Sequence, residues 1–105
     1  MLLIVETPVF TRQVALLVSD EEYRAFQERL VANPEAGSLI PGGGGIRKIR
    51  MSLAGRGKRG GARVIYYWQA RRDTIYMLLA YAKVVKTELS PREIRVLRDL
   101  VKALH

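Results

Sequence analysis

The chain opens with two apolar segments, the first a short continuous run and the second a repeat at helical spacing. Residues Leu2 to Glu6 are rich in branched apolar side chains, which predicts a buried strand that ends before Thr7 and Pro8. Apolar side chains then recur at helical spacing, at Phe10, Val14 and Leu17. This spacing predicts a helix over 8–18 that starts on the proline and packs on a sheet, although its end, 14–18, also fits a strand.

A second helix start follows at once. Ser19 and Glu22 have the spacing of a capping box, and the acidic residues of this turn suit the positive end of a helix dipole. The helix is expected to begin at Asp20 and to end at Asn33, because the residue before a proline is pushed out of the helical region. Its apolar stripe, assigned to the core, consists of Tyr23, Phe26 and Leu30. A loop is expected over 35–45.

The centre of the chain predicts a β-hairpin with a cationic tip. Two strand-like runs, 46–53 and 63–69, flank the basic glycine-rich segment 55–61. Side chains in a strand alternate between two sides. In the first strand the apolar pair Ile49 and Met51 therefore lies opposite the cations Lys48 and Arg50. In the second strand one side is predicted to carry Val64, Tyr66 and Trp68, and the other Arg63, Ile65 and Tyr67.

A third strand and a last helix complete the pattern. The run Thr74 to Lys83 is apolar on both sides, as expected of a central strand covered on two faces. Its alternation groups Tyr76, Leu78 and Ala80 on one side, and Met77, Leu79, Tyr81 and the final Lys83 on the other. Ser90, Pro91 and Glu93 then form another capped helix start. The predicted order is β-α-α-β-β-β-α, an α+β fold with a mainly antiparallel sheet and one domain over residues 1–105.

Charge adds a class of partner to this picture. The 105 residues carry a formal net charge of +8, and no Asp or Glu occurs from Ala36 to Arg72. A basic surface of this kind favours a polyanion such as RNA, DNA or a ribosome, or else an acidic protein, as the binding partner.

The chain has no cysteine, and its one histidine, His105, is at the end, where order is usually poor. A zinc site and a histidine base are therefore not expected. The apolar start is too short for a signal peptide or a membrane span, so a soluble, cytoplasmic protein is expected.

The order of elements, together with the words GGIRKIR, GRGKRGGARVIYYW and IYMLLAYAK, resembles the RelE/ParE superfamily of bacterial toxins, most closely its HigB-like branch. The resemblance covers nearly the whole chain. It implies a RelE-like fold and a ribonuclease that cuts mRNA, commonly on the translating ribosome, without metal or cofactor. It also implies a cognate helix-turn-helix antitoxin, encoded beside the toxin, that holds it inactive.

The resemblance also assigns site residues. Lys48 and Arg50 are similar to the family's alternating basic pair, Arg63 to the arginine that begins the next strand, and Lys83 to the basic residue after the last strand. RelE enzymes commonly carry a tyrosine near the start of the last helix, and residues 86–90 contain none. Tyr67 or Tyr81 could replace it only if the fold brings one of them to the site.

RNA cleavage without metal requires a base that takes the proton of the 2′-hydroxyl and an acid that protonates the leaving 5′-oxygen. It also requires cations that stabilise the extra negative charge on phosphorus. A lysine crowded by cations loses its proton more readily, which makes Lys48 and Lys58 candidate bases. Arg63 is a candidate transition-state clamp and Lys83 a candidate acid or phosphate contact. The expected RNA contacts are Arg50, Arg56, Arg59 and Lys86, with Tyr67 and Tyr81 as rings that stack a base.

Two other functions fit the same features. The ParE branch poisons gyrase on this scaffold, and a basic module can bind nucleic acid without chemistry. The dense set of lysines and arginines favours the nuclease over both.

Overall fold

The computed structural model describes residues 1–51, 61–86 and 88–105. Its strands and helices are β1 (Leu3–Glu6), α1 (Pro8–Leu17), α2 (Asp20–Ala32), β2 (Ser38–Leu39), β3 (Ile46–Met51), β4 (Ala62–Gln69), β5 (Thr74–Ala82) and α3 (Pro91–Ala103). A short 3-10 turn over Ala70–Arg72 joins β4 to β5. The predicted α+β fold is confirmed. No helix in these ranges has the length and apolar character needed to cross a membrane.

One five-stranded sheet of order β1-β5-β4-β3-β2 forms the centre of the molecule. Only the β1–β5 pair is parallel, so the mainly antiparallel sheet is as predicted. Two details of the prediction are wrong. The segment 35–45 contains the edge strand β2, which two backbone pairings to β3 create without any apolar pattern. β1 is also an edge strand, and its Leu3 and Val5 are exposed rather than buried.

The helices begin where the cap signals place them. The Thr7 side chain accepts a hydrogen bond from the Phe10 amide, and complete capping boxes precede α2 and α3. Val18 is an extended residue that caps α1, so 14–17 is helical, and the strand alternative is wrong. Each cap satisfies amide groups that the first helical turn would otherwise leave unpaired.

The sheet separates two apolar clusters. On one face α1 and α2 cover β-strand side chains around Tyr66 and Met77, with Phe10, Phe26 and Leu30 contributed by the helices. On the other face α3 covers Ile46, Ile65, Tyr67 and Leu78 through Leu97 and Val101. Tyr23, Phe26 and Trp68 all belong to or pack against the first cluster, as predicted. The face under α3 is the one that carries the predicted cations.

A β-bulge changes the faces of β5. The pairing with β4 shifts between Ile65 and Tyr66, so that Ile65 lies opposite Leu79 while Tyr66 lies opposite Met77. Leu78 is the extra residue, and the alternation of β5 reverses after it. Ala80 therefore joins Met77 in the first cluster, and Tyr81 joins Leu78 in the second. The predicted grouping of Leu78 with Ala80, and of Met77 with Tyr81, is wrong for this reason.

The buried Tyr66 joins β4 to the segment that leads into β2. Its hydroxyl accepts a hydrogen bond from the Gly37 amide (2.8 Å) and donates one to the Pro34 carbonyl (2.7 Å). Gly37 lies so close that an added Cβ would come within 2.8 Å of the Tyr66 ring. This contact explains how the segment before β2 is held against the sheet.

The variant Tyr66→Phe should lower the free energy of unfolding by about 1–3 kcal/mol, because it leaves both backbone groups without their partner inside the protein. Urea unfolding should show a lower midpoint with an unchanged m-value. Tyr76→Phe, which removes only a 3.3 Å hydrogen bond to Gln69, is the matched control with a smaller expected loss. Equal stability of Tyr66→Phe and the parent would show that the segment is not held by this hydroxyl.

Candidate active site

Three side chains form a row across β3, β4 and β5, near the loop end of the β3–β4 hairpin, on the α3-covered face. Arg50 on β3 lies opposite Arg63 on β4, and Arg63 lies opposite Tyr81 on β5. Neighbouring strands are about 4.8 Å apart, so the backbones of Arg50 and Tyr81 are about 10 Å apart. Hairpin pairing sets the first two positions, and the β5 bulge sets the third. We call these three residues the Arg50–Arg63–Tyr81 row.

Lys48 lies on the same face, two residues before Arg50, and is half-buried. Lys83 follows Tyr81 after the end of β5, where its backbone amide donates a hydrogen bond to the Gly61 carbonyl.

In the described part of the chain, ion pairs join the N-terminus to Asp73, Lys86 to Glu93 and Arg98 to Asp99. None of them uses Lys48, Arg50, Arg63 or Lys83. Arg63 makes one long hydrogen bond, 3.5 Å, to the Ala62 carbonyl. Its guanidinium is thus left largely available to an anion.

Lys86 connects this site to the start of α3. Its ammonium group lies 5.4 Å from the centre of the Tyr81 ring and forms an ion pair and hydrogen bond with Glu93. The hydrogen bond from Lys86 holds the pKa of Glu93 below its ordinary value, with the Ser90 amide as a second cause. Glu93 is therefore a carboxylate near neutral pH, and it holds Lys86 over the ring.

The Tyr81 side chain is buried, and its hydroxyl has no hydrogen-bond partner among the described residues. Burial raises the pKa of Tyr81, while the positive charge of Arg63 opposes the rise and the charges of Glu88 and Glu93 add to it. At neutral pH the group is a neutral phenol with its proton in place.

Tyr67, the other tyrosine on this face, has a different environment. It is covered by α3, and its ring stacks on the Tyr76 ring with 6.3 Å between the ring centres. Its hydroxyl forms a 2.7 Å hydrogen bond with the imidazole of His105. Base stacking on Tyr67 would thus require α3 to move. His105 itself contacts Tyr67 and Gln69. Of Tyr67 and Tyr81, Tyr81 is the one that lies opposite Arg63 with a hydroxyl that has no partner among the described residues.

The predicted loop residues Arg56, Lys58 and Arg59 lie outside the described residues. Their strand neighbours Met51 and Ala62 are paired at the end of the hairpin next to Arg50 and Arg63.

Sequence reasoning missed a groove beside Lys48. It measures about 560 Å³ and lies between the β2–β3 edge and the segment before α3. The lining residues are Ser38, Leu39, Ile40, Pro41, Lys48, Glu88, Leu89 and Ile94. In the sequence, the groove is indicated only by Leu89 and Ile94, two apolar residues on either side of the start of α3. The other wall could not be predicted, because β2 has no apolar pattern of its own.

The arrangement offers lysine, guanidinium and phenol groups on one face of the sheet. These groups can bind a phosphodiester, stabilise added negative charge on it and move protons. Within residues 1–51, 61–86 and 88–105, no three His, Asp or Glu side chains are placed to hold a metal ion together.

Comparison with known proteins identifies related chains. The family described as the RelE toxin of the RelE/RelB toxin-antitoxin system matches residues 11–105. The crystal structure of the isolated E. coli RelE toxin is similar in fold, with a TM-score of 0.51 and 16% sequence identity over 100% of both chains. At this identity the structural likeness concerns the fold alone, while the family match extends over most of the sequence.

Proposed function

The chain belongs to the RelE family of toxins from toxin-antitoxin systems, and we propose that it is an mRNA interferase of the HigB-like branch. In this proposal residues 1–105 form one toxin domain, which cleaves mRNA on the ribosome in the cytoplasm and thereby stops translation. The reaction is an attack of the RNA 2′-oxygen on the neighbouring phosphorus.

The observation that supports this activity best is the Arg50–Arg63–Tyr81 row with Lys48 beside it. A protein that only binds nucleic acid needs cations, but it has no need of a buried phenol that lacks a partner in residues 1–51, 61–86 and 88–105. A phosphodiester placed on the row would lie beside two guanidinium groups and the buried Tyr81.

The roles follow from chemistry. Lys48 takes the proton of the 2′-hydroxyl, and Arg63 binds the non-bridging oxygens, because a guanidinium stays charged and offers a fork of donors. Arg50, Lys83 and Lys86 hold the flanking phosphates, and the loop residues Arg56, Lys58 and Arg59 extend this contact along the RNA. A base can stack on Tyr67 only in a state in which α3 has moved away from the Tyr67 ring.

The test is primer extension on cellular mRNA after brief induction of the protein. Cuts inside coding regions, in frame with codons, are expected. They should disappear when the message has no start codon, because ribosomes then do not translate it. Growth arrest without any cuts, but with broken DNA held by gyrase, would instead identify the gyrase-poisoning activity.

Arg50 offers a measurement of RNA binding itself. The variant Arg50→Ala should reduce the slope of log K against log salt for single-stranded RNA by about 0.7, since one phosphate contact is lost. Arg12→Ala on the exposed surface of α1, across the sheet, is the control and should leave the slope as it is. Identical slopes for parent and Arg50→Ala would mean that this face does not bind the backbone.

A further inference from the structure

We propose that the Tyr81 hydroxyl is the general acid of the cleavage step, giving its proton to the 5′-oxygen that leaves phosphorus. The inference rests on the proposed function and assigns one step of it to one atom. It goes beyond the expected role of Tyr81 as a stacking ring. The bulge in β5 is the feature that carries it, because without the register shift Tyr81 would face α1 and α2.

The state of the hydroxyl separates Tyr81 from the other buried tyrosines. Tyr66 uses its hydroxyl in two backbone hydrogen bonds, and Tyr67 uses its hydroxyl on His105. Tyr81 is only 7% exposed, and its hydroxyl has no partner in the part of the chain that the structure describes. A buried polar group left unpaired weakens the fold, so its presence beside Arg63 indicates a use outside folding.

The protonation state fits an acid and not a base. Burial raises the pKa of Tyr81, so the phenol keeps its proton at neutral pH. Lys48 lies on the same face, two residues before Arg50 on β3, and is thus separated from Tyr81 by the width of the row. In this proposal Lys48 accepts the proton of the 2′-hydroxyl and Tyr81 donates a proton to the 5′-oxygen, which are the two proton transfers that the reaction requires.

Two cationic side chains lie around the ring and can guide the substrate to it. Lys86 lies over the ring, and Arg63 lies next to Tyr81 on the adjacent strand. Because the hydroxyl is buried, the proposed proton transfer requires the side chains around it to move when RNA binds. Glu93 keeps Lys86 in place until RNA arrives. Lys86 and Glu93 are thus positioning residues for this step.

The step balances in atoms and charge. The 2′-oxygen passes its proton to Lys48 and forms a bond to phosphorus. The bond from phosphorus to the 5′-oxygen breaks, and that oxygen keeps the electron pair and takes the Tyr81 proton. The products are a 2′,3′-cyclic phosphate and a 5′-hydroxyl, and the phenolate regains a proton from water as the lysine releases one.

The test compares Tyr81→Phe with the parent toxin on ribosomes programmed with two mRNAs. One mRNA is ordinary, and the other carries sulfur in place of the 5′-oxygen at the cut. Tyr81→Phe should cleave the ordinary mRNA about a hundredfold more slowly, the loss expected for one proton transfer. It should cleave the sulfur-containing mRNA at the parent rate, because a thiolate leaves without a proton.

Tyr76→Phe is the matched control on the same strand, and it should behave as the parent does on both mRNAs. Tyr81→Phe should also melt no lower than the parent, since no hydrogen bond among the described residues is removed. Parent-like cleavage of ordinary mRNA by Tyr81→Phe would overturn the inference, as would a slow variant that sulfur does not rescue. A parent toxin that cuts neither mRNA would instead overturn the proposed function.

Discussion

Arg63→Ala is expected to abolish growth arrest and to lower mRNA cleavage about 10²- to 10³-fold, a loss of about 2.7–4 kcal/mol of transition-state stabilisation. The guanidinium lies at the centre of the Arg50–Arg63–Tyr81 row, and its one hydrogen bond within the described structure is long. It is thus free to tighten on the phosphate as negative charge grows during the reaction. The loss should fall on kcat more than on KM, because the contact strengthens in the transition state.

The measurement is single-turnover cleavage on programmed ribosomes, with thermal unfolding as the check on folding. Arg72→Ala is the matched control, since Arg72 is exposed at the opposite end of the β4–β5 hairpin. Arg63→Lys should recover part of the rate, because it keeps the charge and loses the fork of donors. A folded Arg63→Ala protein as toxic as the parent would exclude Arg63 from the transition state.

The second large effect concerns the antitoxin. RelE toxins pair with an antitoxin, and we expect the product of the adjacent gene, a helix-turn-helix protein, to silence this toxin by covering its cationic face. An acidic or amphipathic segment, disordered when free, suits a chain with a formal net charge of +8. With free antitoxin about 1,000-fold above its Kd, only about one toxin in a thousand stays uncovered, so cleavage should fall by a similar factor.

Co-expression followed by purification of the complex provides the material for this measurement. Digestion of the antitoxin by a protease should restore cutting, because the disordered segment is cleaved before the folded toxin. Toxin incubated with the same protease alone is the control. A complex that cuts mRNA as fast as free toxin would show that the antitoxin covers another surface.

Local signals predicted most of the architecture. The capping boxes at Ser19 and Ser90 and the proline at the start of α1 set the helix starts, because they act within one helical turn. Alternation correctly placed Lys48 with Arg50 on one side of β3, and Arg63 with Ile65 and Tyr67 on one side of β4, since a strand without a bulge keeps its period of two. The edge strand β2 was missed because its pairing comes from β3 and not from its own residues.

The sequence by itself determined the fold class, the helix starts and the side of each hairpin strand that carries its cations, because each depends on neighbours within a few residues. Only the tertiary structure brought these cations onto one face and decided which tyrosine lies there with a hydroxyl that has no partner among the described residues. The choice depends on a one-residue bulge in β5, which turns Tyr81 towards Arg63, and on α3, whose end occupies the hydroxyl of Tyr67 through His105. Both are contacts between segments far apart in the chain, and no local pattern of residues encodes them.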